Sequence, residues 1–247
     1  MNEYLGESFD HGVQLVSLAD IKKASTLGPN TIENAAKHIA SYTHRVIGVD
    51  WGGGGADGLS RTAVVAAGRR PDGGVDIFYI DIIPDTLSPQ EQCSAILRLM
   101  TKLKCNKLAH DYGGAGGLRG AMLLQLGLHP KDMVPMVYTS AKGLIKYNPP
   151  TGQSTGFWSV DKTKALLFLI SEIRAGNMKF VETPYTEEFM ALTEDRRAYP
   201  SSSDVYYITT KPKRSDDVCH ATCFAALTLW HMTKYPPLVK KQADTEK

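Results

Sequence analysis

The chain has 247 residues, of which 43% are hydrophobic and 22% are charged, and its formal net charge is +2. These values are typical of a globular protein with enough length for one large domain or two small ones. A charge this close to neutral neither requires nor excludes nucleic acid, so a basic surface must come from local clustering. The sequence contains no apolar run near the roughly 20 residues that cross a bilayer, and residues 1–4 do not resemble a secretory signal. We therefore expect no membrane partner.

Cysteine usage indicates a reducing environment. The chain has four cysteines, at 93, 105, 219 and 223, and no Cys-x-x-Cys pair. We expect reduced thiols rather than disulfides or a zinc site.

The first part of the chain differs from the rest. Weak helical patterns over 15–24 and 31–42 are separated by Gly28-Pro29-Asn30, which predicts a helical lead-in over 1–42 without catalytic residues. The main domain is expected over 43–235, and the polar tail 236–247 is expected to fray.

The main domain opens with three segments rich in apolar and β-branched residues, at 46–51, 62–68 and 75–83. A Pro71-Asp72-Gly73-Gly74 turn joins the last two, which predicts an antiparallel meander. The elements predicted next are a helix 88–104, a strand 107–110, a helix ending near 126, a strand 133–138, a helix 161–174, a short helix 184–192, a hairpin 196–210 and a closing helix 216–234. The fold class is therefore α/β, with a mixed central sheet that is antiparallel first, then parallel, and is flanked by helices.

The carboxylate of Asp50 ends the first of these strands, and Trp51 and four glycines follow it. A buried ion is costly unless something pairs with it, so we expect Asp50 at the rim of a cleft where a cation can meet it. Asp followed closely by Gly is also ordinary turn chemistry. This segment alone leaves both interpretations open.

Two further acidic positions follow. Asp111 also ends a strand and precedes a glycine-rich turn, so the carboxylates of Asp50 and Asp111 converge if the two strands are parallel neighbours. The closing helix begins with Asp216 and Asp217, and Asp217 shares a helix face with His220. Acids in a first helical turn also favour the helix dipole, which gives Asp216 a structural explanation.

Three aspartate positions at one edge predict two divalent cations, Mg²⁺ or Mn²⁺, because these ions prefer carboxylates and water as ligands. Two such ions can activate a water molecule and stabilise the leaving oxygen of a phosphodiester. Zinc would require closely spaced Cys and His, which the sequence lacks.

The order and spacing of these motifs resemble the ribonuclease H-like nucleases. The segments 47–52 (Ile-Gly-Val-Asp-Trp-Gly) and 216–221 (Asp-Asp-Val-Cys-His-Ala) more narrowly resemble the C-terminal nuclease domain of the large terminase subunit of tailed bacteriophages, and the likeness covers about 44–234. The resemblance implies a metal-dependent endonuclease that cuts concatemeric viral DNA during head packaging.

The resemblance also implies roles for individual residues. Asp50, Asp111 and Asp217 fall on the family's catalytic, metal-binding acids. Asp216 is an alternative third metal ligand, because adjacent acids leave the register open. His220 falls where many members carry a further acid, which makes it a catalytic candidate.

The implied partners are double-stranded DNA, the terminase ATPase domain, the small terminase subunit and the portal protein, with the host cytoplasm as the location. The sequence contains no Gly-x-x-x-x-Gly-Lys-Ser/Thr motif, so it corresponds to the nuclease half, with 1–42 as a remnant of the interdomain region.

Several basic and aromatic residues are candidates for DNA contact. Basic side chains beside a nuclease cleft would hold phosphates. Trp51 either packs beside the sheet or stacks on a base. The basic candidates are Lys211, Lys213 and Arg214, directly before the third acidic site, and Arg196 and Arg197 in the predicted hairpin.

Three alternative functions remain open at this point, one of which is a nuclease-fold scaffold that binds DNA or a portal without cutting. A Holliday-junction resolvase or transposase-like nuclease would use the same acids on branched DNA. A sugar kinase or actin-like ATPase would use the segments that follow Asp50 and Asp111 as phosphate loops, but it leaves the Asp217 and His220 helix face without a role.

Overall fold

The structure is a computed structural model that describes residues 13–53, 60–139, 143–151, 156–199, 202–210 and 214–233. Its strands are β1 (Val13–Gln14), β2 (Ser25–Pro29), β3 (His44–Asp50), β4 (Thr62–Arg69), β5 (Val75–Ile83), β6 (Lys107–Asp111), β7 (Met133–Thr139), β8 (Ile145–Asn148), β9 (Phe157–Asp161), β10 (Met178–Glu182), β11 (Leu192–Tyr199) and β12 (Ser202–Thr210). Its α-helices are α1 (Leu18–Ala24), α2 (Ile32–His38), α3 (Pro89–Lys102), α4 (Gly116–Gln125), α5 (Lys162–Arg174) and α6 (Asp217–Thr233). Short 3-10 helices cover Ile39–Ser41, Pro130–Asp132 and Pro184–Ala191.

Most of the strands form one nine-stranded mixed sheet in the order β2-β10-β5-β4-β3-β6-β7-β9-β8. The strands β3, β4 and β5 are antiparallel neighbours, and β6, β7 and β9 continue from β3 in parallel. This confirms the predicted mixed sheet. A second sheet of three strands, β1-β11-β12, contains the predicted hairpin.

The closing helix α6 is the central packing element of the domain. It is apolar on all sides and is buried from Asp217 to Trp230, as expected for a helix that is covered all round. It packs against β3 and β4 at the middle of the large sheet. The closest approach is at Gly48, where an added Cβ would lie 2.0 Å from the backbone oxygen of Ala221. The glycine therefore allows α6 to lie directly on β3.

Four strands of the large sheet were not predicted from the sequence, namely β2, β8, β9 and β10. The strand β2 lies between the two helical patterns predicted for the lead-in, and it pairs in parallel with β10 at one edge of the sheet. The predicted short helix 184–192 is a 3-10 helix rather than an α-helix. The domain boundaries at 42 and 235 stay a prediction.

The four cysteines are free and buried. Within the described part of the chain, no helix is both long and apolar enough to cross a membrane.

Candidate active site

Strand register brings Asp50 and Asp111 to the same level of the sheet. In the parallel pair β3–β6, Gly48 lies opposite Ala109 and Val49 lies opposite His110. The next residues in that register are Asp50 and Asp111, which end their strands. Because side chains alternate along a strand, Asp50 points to the same face as Gly48, the face covered by α6.

The first residue of α6 completes an acidic cluster on this face, which we define as Asp50, Asp111, Asp216 and Asp217. Burial raises the pKa of Asp50 well above its ordinary value, and the charges of Asp111, Asp217 and Asp216 raise it further, in that order. Lys162, the first residue of α5, acts in the opposite direction. The four carboxylates predicted from the sequence are therefore close enough for their charges to interact.

Asp50 is the least compensated member of the acidic cluster. Among the residues that the structure describes, none forms a hydrogen bond or an ion pair with its carboxylate. Asp111 accepts one hydrogen bond, from the backbone N–H of Gly113 to its Oδ1 at 2.8 Å. A half-buried, unpaired carboxylate surrounded by other carboxylates is unfavourable unless a cation joins it.

Among the described residues, Asp217 is held through one of its two oxygens. Its Oδ2 accepts hydrogen bonds from the backbone N–H of Arg61 at 3.0 Å and from the Ser215 hydroxyl at 2.6 Å. The Arg61 Nε lies 3.6 Å from the same oxygen. These contacts fix the orientation of Asp217.

Glu188 joins this arrangement from the 3-10 helix Pro184–Ala191. Its Oε1 pairs with the Arg61 guanidinium, and its Oε2 accepts a hydrogen bond from the Val218 N–H at 2.9 Å. The Val218 amide belongs to the first turn of α6, where donors have no partner within the helix. Glu188 therefore caps α6 and forms an ion pair with the Arg61 guanidinium, which also contacts Asp217.

We expect Glu188→Ala to lower the free energy of unfolding by about 2 kcal/mol, since it removes a charged hydrogen bond at a helix N-terminus and leaves Arg61 without its main partner. The adjacent Glu187 is exposed, which makes Glu187→Ala a matched control with an expected change within about 0.5 kcal/mol. Urea unfolding measures both values. Equal stabilities of the two variants would contradict the capping role.

Asp216 has different partners. Its Oδ2 accepts a hydrogen bond from the Thr210 hydroxyl and lies 3.0 Å from Nε2 of His220. The other ring nitrogen of His220, Nδ1, lies 3.0 Å from the Tyr138 hydroxyl. Burial tends to raise the pKa of Asp216, but the hydrogen bond and charge of His220, together with Thr210 and Lys162, outweigh burial and hold that pKa well below its ordinary value.

These contacts bear on two of the sequence predictions. Both ring nitrogens of His220 have protein partners. These contacts favour a role for His220 in positioning Asp216 rather than in direct contact with a ligand. A catalytic role for His220 stays a prediction, as does the choice between Asp216 and Asp217 as third ligand.

The side chain of His110 lies on the opposite face of the sheet from Asp50, because neighbouring residues of a strand alternate. It is fully buried, and burial lowers its pKa to about 4, so the ring is neutral at pH 7. Its Nδ1 lies 2.7 Å from the backbone oxygen of Asp111 and 3.2 Å from Nε1 of Trp51. Trp51 is half-buried and lines a cavity of about 330 Å³ beside Asp111.

The predicted DNA-binding residues are only partly described. Arg214 is exposed just before α6. Arg196 and Arg197 lie on β11, where their backbones pair with β12, and their side chains are outside the description. Lys211 and Lys213 lie outside the described residues. Binding of DNA by these five residues stays a prediction.

Three charged residues at the site were not singled out from the sequence. Arg61 reaches Asp217 only through tertiary packing, across 156 residues, and Glu188 joins the site through its ion pair with Arg61. A local signal did exist for Lys162, because it directly follows Asp161, the N-cap of α5.

The implied metal was tested against this arrangement. Within the described residues, no group of three or more His, Cys, Asp or Glu side chains forms a ready metal site. The donor chemistry nevertheless fits a hard divalent cation, because the acidic cluster offers only carboxylate oxygens and Asp50 has no partner among the residues that the structure describes.

Comparison with known proteins identifies the fold. No family model matches the chain, and no curated protein matches it. The large terminase nuclease from thermophilic phage G20c matches with a TM-score of 0.51 and 15% identity, over 74% of this chain and 80% of that one. The HK97 bacteriophage large terminase matches with a TM-score of 0.55 and 12% identity, over 87% of this chain and 43% of that one.

A third match is a mutant nuclease domain of the large terminase subunit gp2 of bacterial virus Sf6, solved with manganese. Its TM-score is 0.51 at 13% identity, and the match covers 87% of this chain and 99% of that one. The chain therefore has a ribonuclease H-like fold, as predicted. Among proteins of that fold, it has the architecture of large-terminase nuclease domains.

Proposed function

We propose that the chain is a divalent-metal-dependent DNA endonuclease that cuts viral DNA during genome packaging. The observation that carries the proposal is the carboxylate of Asp50, which lies among the three other acids of the acidic cluster and has no hydrogen-bond or ion-pair partner in the described part of the chain. Two of the four carboxylates end the parallel strands β3 and β6 and the other two lie at the start of α6, and carboxylates this close together are stabilised by a bound cation.

Asp50, Asp111 and Asp217 are the residues that would hold the metal. Bound divalent ions would polarise a phosphodiester, activate water and stabilise the leaving oxygen. Cation binding is expected to draw the three carboxylates together, since they do not form a ready ligand group in the described arrangement.

The protein contributes orientation and charge. Gly113 fixes one oxygen of Asp111, while Arg61 and Ser215 fix Oδ2 of Asp217 and leave its Oδ1 for a ligand. The ammonium of Lys162 offsets part of the negative charge of the acidic cluster and is available to meet a DNA phosphate.

The similar structures support the choice of substrate and cation. They are large-terminase nucleases, and one of them was solved with manganese. The chain spans less than half of the HK97 large terminase. By analogy, the proposed partners are double-stranded DNA, a terminase ATPase domain, the small terminase subunit and the portal protein.

Plasmid cleavage tests this proposal. Supercoiled plasmid is incubated with the protein and Mn²⁺ or Mg²⁺, with chelator in a parallel reaction. We expect nicked and linear products with the cation and none with the chelator. Preferential symmetric cutting of a four-way junction over linear duplex would instead favour a resolvase.

A second prediction concerns stability. Because its pKa is raised in the folded state, Asp50 stabilises the fold below its unfolded pKa and loses that contribution as pH rises through the folded value. At neutral pH without cations, Asp50→Asn should therefore raise the free energy of unfolding, by about 1 kcal/mol.

With divalent cations present, the wild-type protein should instead be more stable than Asp50→Asn. Mn²⁺ at a hundredfold excess over its Kd should stabilise the wild-type protein by about 2.7 kcal/mol, since only the folded state holds the site. Thermal melting with and without Mn²⁺ measures both effects. An equal Mn²⁺ shift in the wild type and in Asp50→Asn would contradict cation binding at Asp50.

A further inference from the structure

A cavity adjoins the acidic cluster at Asp111 and has no role in the proposal so far. Its volume is about 330 Å³, and its walls include Trp51, Tyr138 and Val137 as well as the turn 113–116. This volume lies at the lower end of the range for small-ligand sites. The cavity accommodates one nucleotide and is too small for a base pair with its backbones.

The position of the cavity links it to the substrate. Asp111 is both a wall of the cavity and a member of the acidic cluster. Tyr138 forms another wall, and the Lys162 ammonium lies 5.7 Å from the centre of its ring. A nucleotide in the cavity would therefore lie next to a phosphodiester at the acidic cluster and near the Lys162 ammonium.

Trp51 is held in a fixed orientation at this wall. Its ring contacts the buried His110 ring edge to face, with centroids 6.0 Å apart. On another side, the guanidinium carbon of Arg119 lies 5.3 Å from the centre of the indole ring. A wall that is fixed before the ligand arrives loses little freedom on binding.

Arg119 gives an independent reason to assign a role to this wall. It is buried, and its Nη1 donates to Oε1 of Gln92 at 2.9 Å. Across the part of the chain that the structure describes, no carboxylate pairs with Arg119. A buried guanidinium without a counter-charge is costly. A cation–π contact is stronger when the cation is shielded from water, so the contact of the buried Arg119 guanidinium with the indole favours one orientation of Trp51.

The backbone leaves the cavity open. Among the described residues, an added Cβ at Gly53 or Gly114 would meet no atom within 4 Å. Both glycines line the cavity and have positive φ angles, +122° and +52°, that other residues rarely adopt. Because these two positions carry no side chain, the cavity stays open to a ligand.

We propose that this cavity binds one unstacked nucleotide of the DNA strand next to the cut phosphodiester, with its base against Trp51. The inference rests on the proposed nuclease function, and it adds that the DNA must be locally unstacked to be bound for cutting. One base must leave the duplex stack, which costs least at a frayed or mismatched position. Base–aromatic stacking tolerates any base, so little sequence preference is expected.

The binding test uses a protein that does not cut. The full chain carrying Asp50→Asn is titrated against a single-stranded tetranucleotide that contains 2-aminopurine, whose fluorescence falls when it stacks on an aromatic ring. We expect quenching on binding. Adding Trp51→Ala should weaken binding about tenfold, which is about 1.4 kcal/mol and within the range for base–aromatic stacking, whereas Trp51→Phe should retain most of the affinity.

Trp158 provides the matched control. It is also half-buried, but it packs on Tyr147 and His231 rather than at the cavity, so Trp158→Ala should leave the affinity unchanged. Val137→Trp is a second variant, which fills the cavity and keeps Trp51; it should weaken binding as Trp51→Ala does. Thermal melting identifies any variant that has not folded.

Unchanged affinity in both Trp51→Ala and Val137→Trp would overturn the inference, as would a free mononucleotide that binds as tightly as the tetranucleotide. A cleavage assay separates this failure from failure of the proposed function. Cleavage without Trp51-dependent binding removes only the nucleotide site. Trp51-dependent binding without cleavage by the wild type removes only the nuclease proposal.

Discussion

Asp50→Asn should abolish measurable plasmid cleavage in the presence of Mn²⁺ or Mg²⁺. Asparagine has nearly the same shape but lacks the negative charge, so it holds a divalent cation far less well. If several kcal/mol of transition-state stabilisation depend on the bound ions, the single-turnover rate should fall at least about 10³-fold, because each 1.36 kcal/mol is a factor of ten. The fold should remain intact, since the change removes repulsion from Asp111, Asp216 and Asp217.

Asp81→Asn is the matched control for this variant. Asp81 is a half-buried aspartate on β5, and burial raises its pKa too, but its partners are the Tyr79 hydroxyl and the Ile82 N–H. Its cleavage rate should stay within about twofold of the wild type, since a change away from the reacting groups leaves transition-state binding intact. Cleavage by Asp50→Asn at the control rate would remove Asp50 from the mechanism.

Gly48→Ala should be the most destabilising small substitution in the chain. The added Cβ would lie 2.0 Å from the Ala221 backbone oxygen and 2.8 Å from the Ala225 Cβ. These contacts belong to the backbone and first side-chain atom of a buried helix, so α6 itself must move. We expect a loss of about 3 kcal/mol in the free energy of unfolding, the upper end for an overpacked core.

The same substitution should also reduce cleavage, because α6 begins at Asp217 and a displaced helix moves this carboxylate away from Asp50. Gly143→Ala is the control, since its added Cβ would meet no atom within 4 Å among the described residues. Its unfolding energy should stay within about 0.5 kcal/mol of the wild type. Urea unfolding that gives equal values for the two variants would show that the contact between β3 and α6 is not tight.

The elements with strong local signals were predictable from the sequence. The three antiparallel strands are long and rich in β-branched residues, and the α3 boundary follows from the Ser88 cap with Pro89 behind it. The strand β2 was missed because Gly28 and Pro29 are turn signals, and only pairing with β10 makes the segment a strand. The strands β8, β9 and β10 have only four or five residues each, too few for a clear period.

The candidate site was predictable where chemistry follows local structure. Asp50 and Asp111 each end a strand, and Asp217 begins a helix, so their convergence followed from the expected topology. The contacts of Arg61 with Asp217 and with Glu188 depend on tertiary packing and leave no sequence pattern. The link between the two motifs is also tertiary: Gly48 in the first motif is the contact point for Ala221 in the second.

The most direct test of the central claim is anomalous scattering from crystals of the protein soaked in Mn²⁺. We expect manganese peaks in contact with the Asp50 carboxylate, with Asp111 and Asp217 drawn to the same ions. Crystals of Asp50→Asn should lose these peaks. A wild-type crystal that binds Mn²⁺ elsewhere and leaves Asp50 without a metal ion would contradict the proposed metal-dependent mechanism.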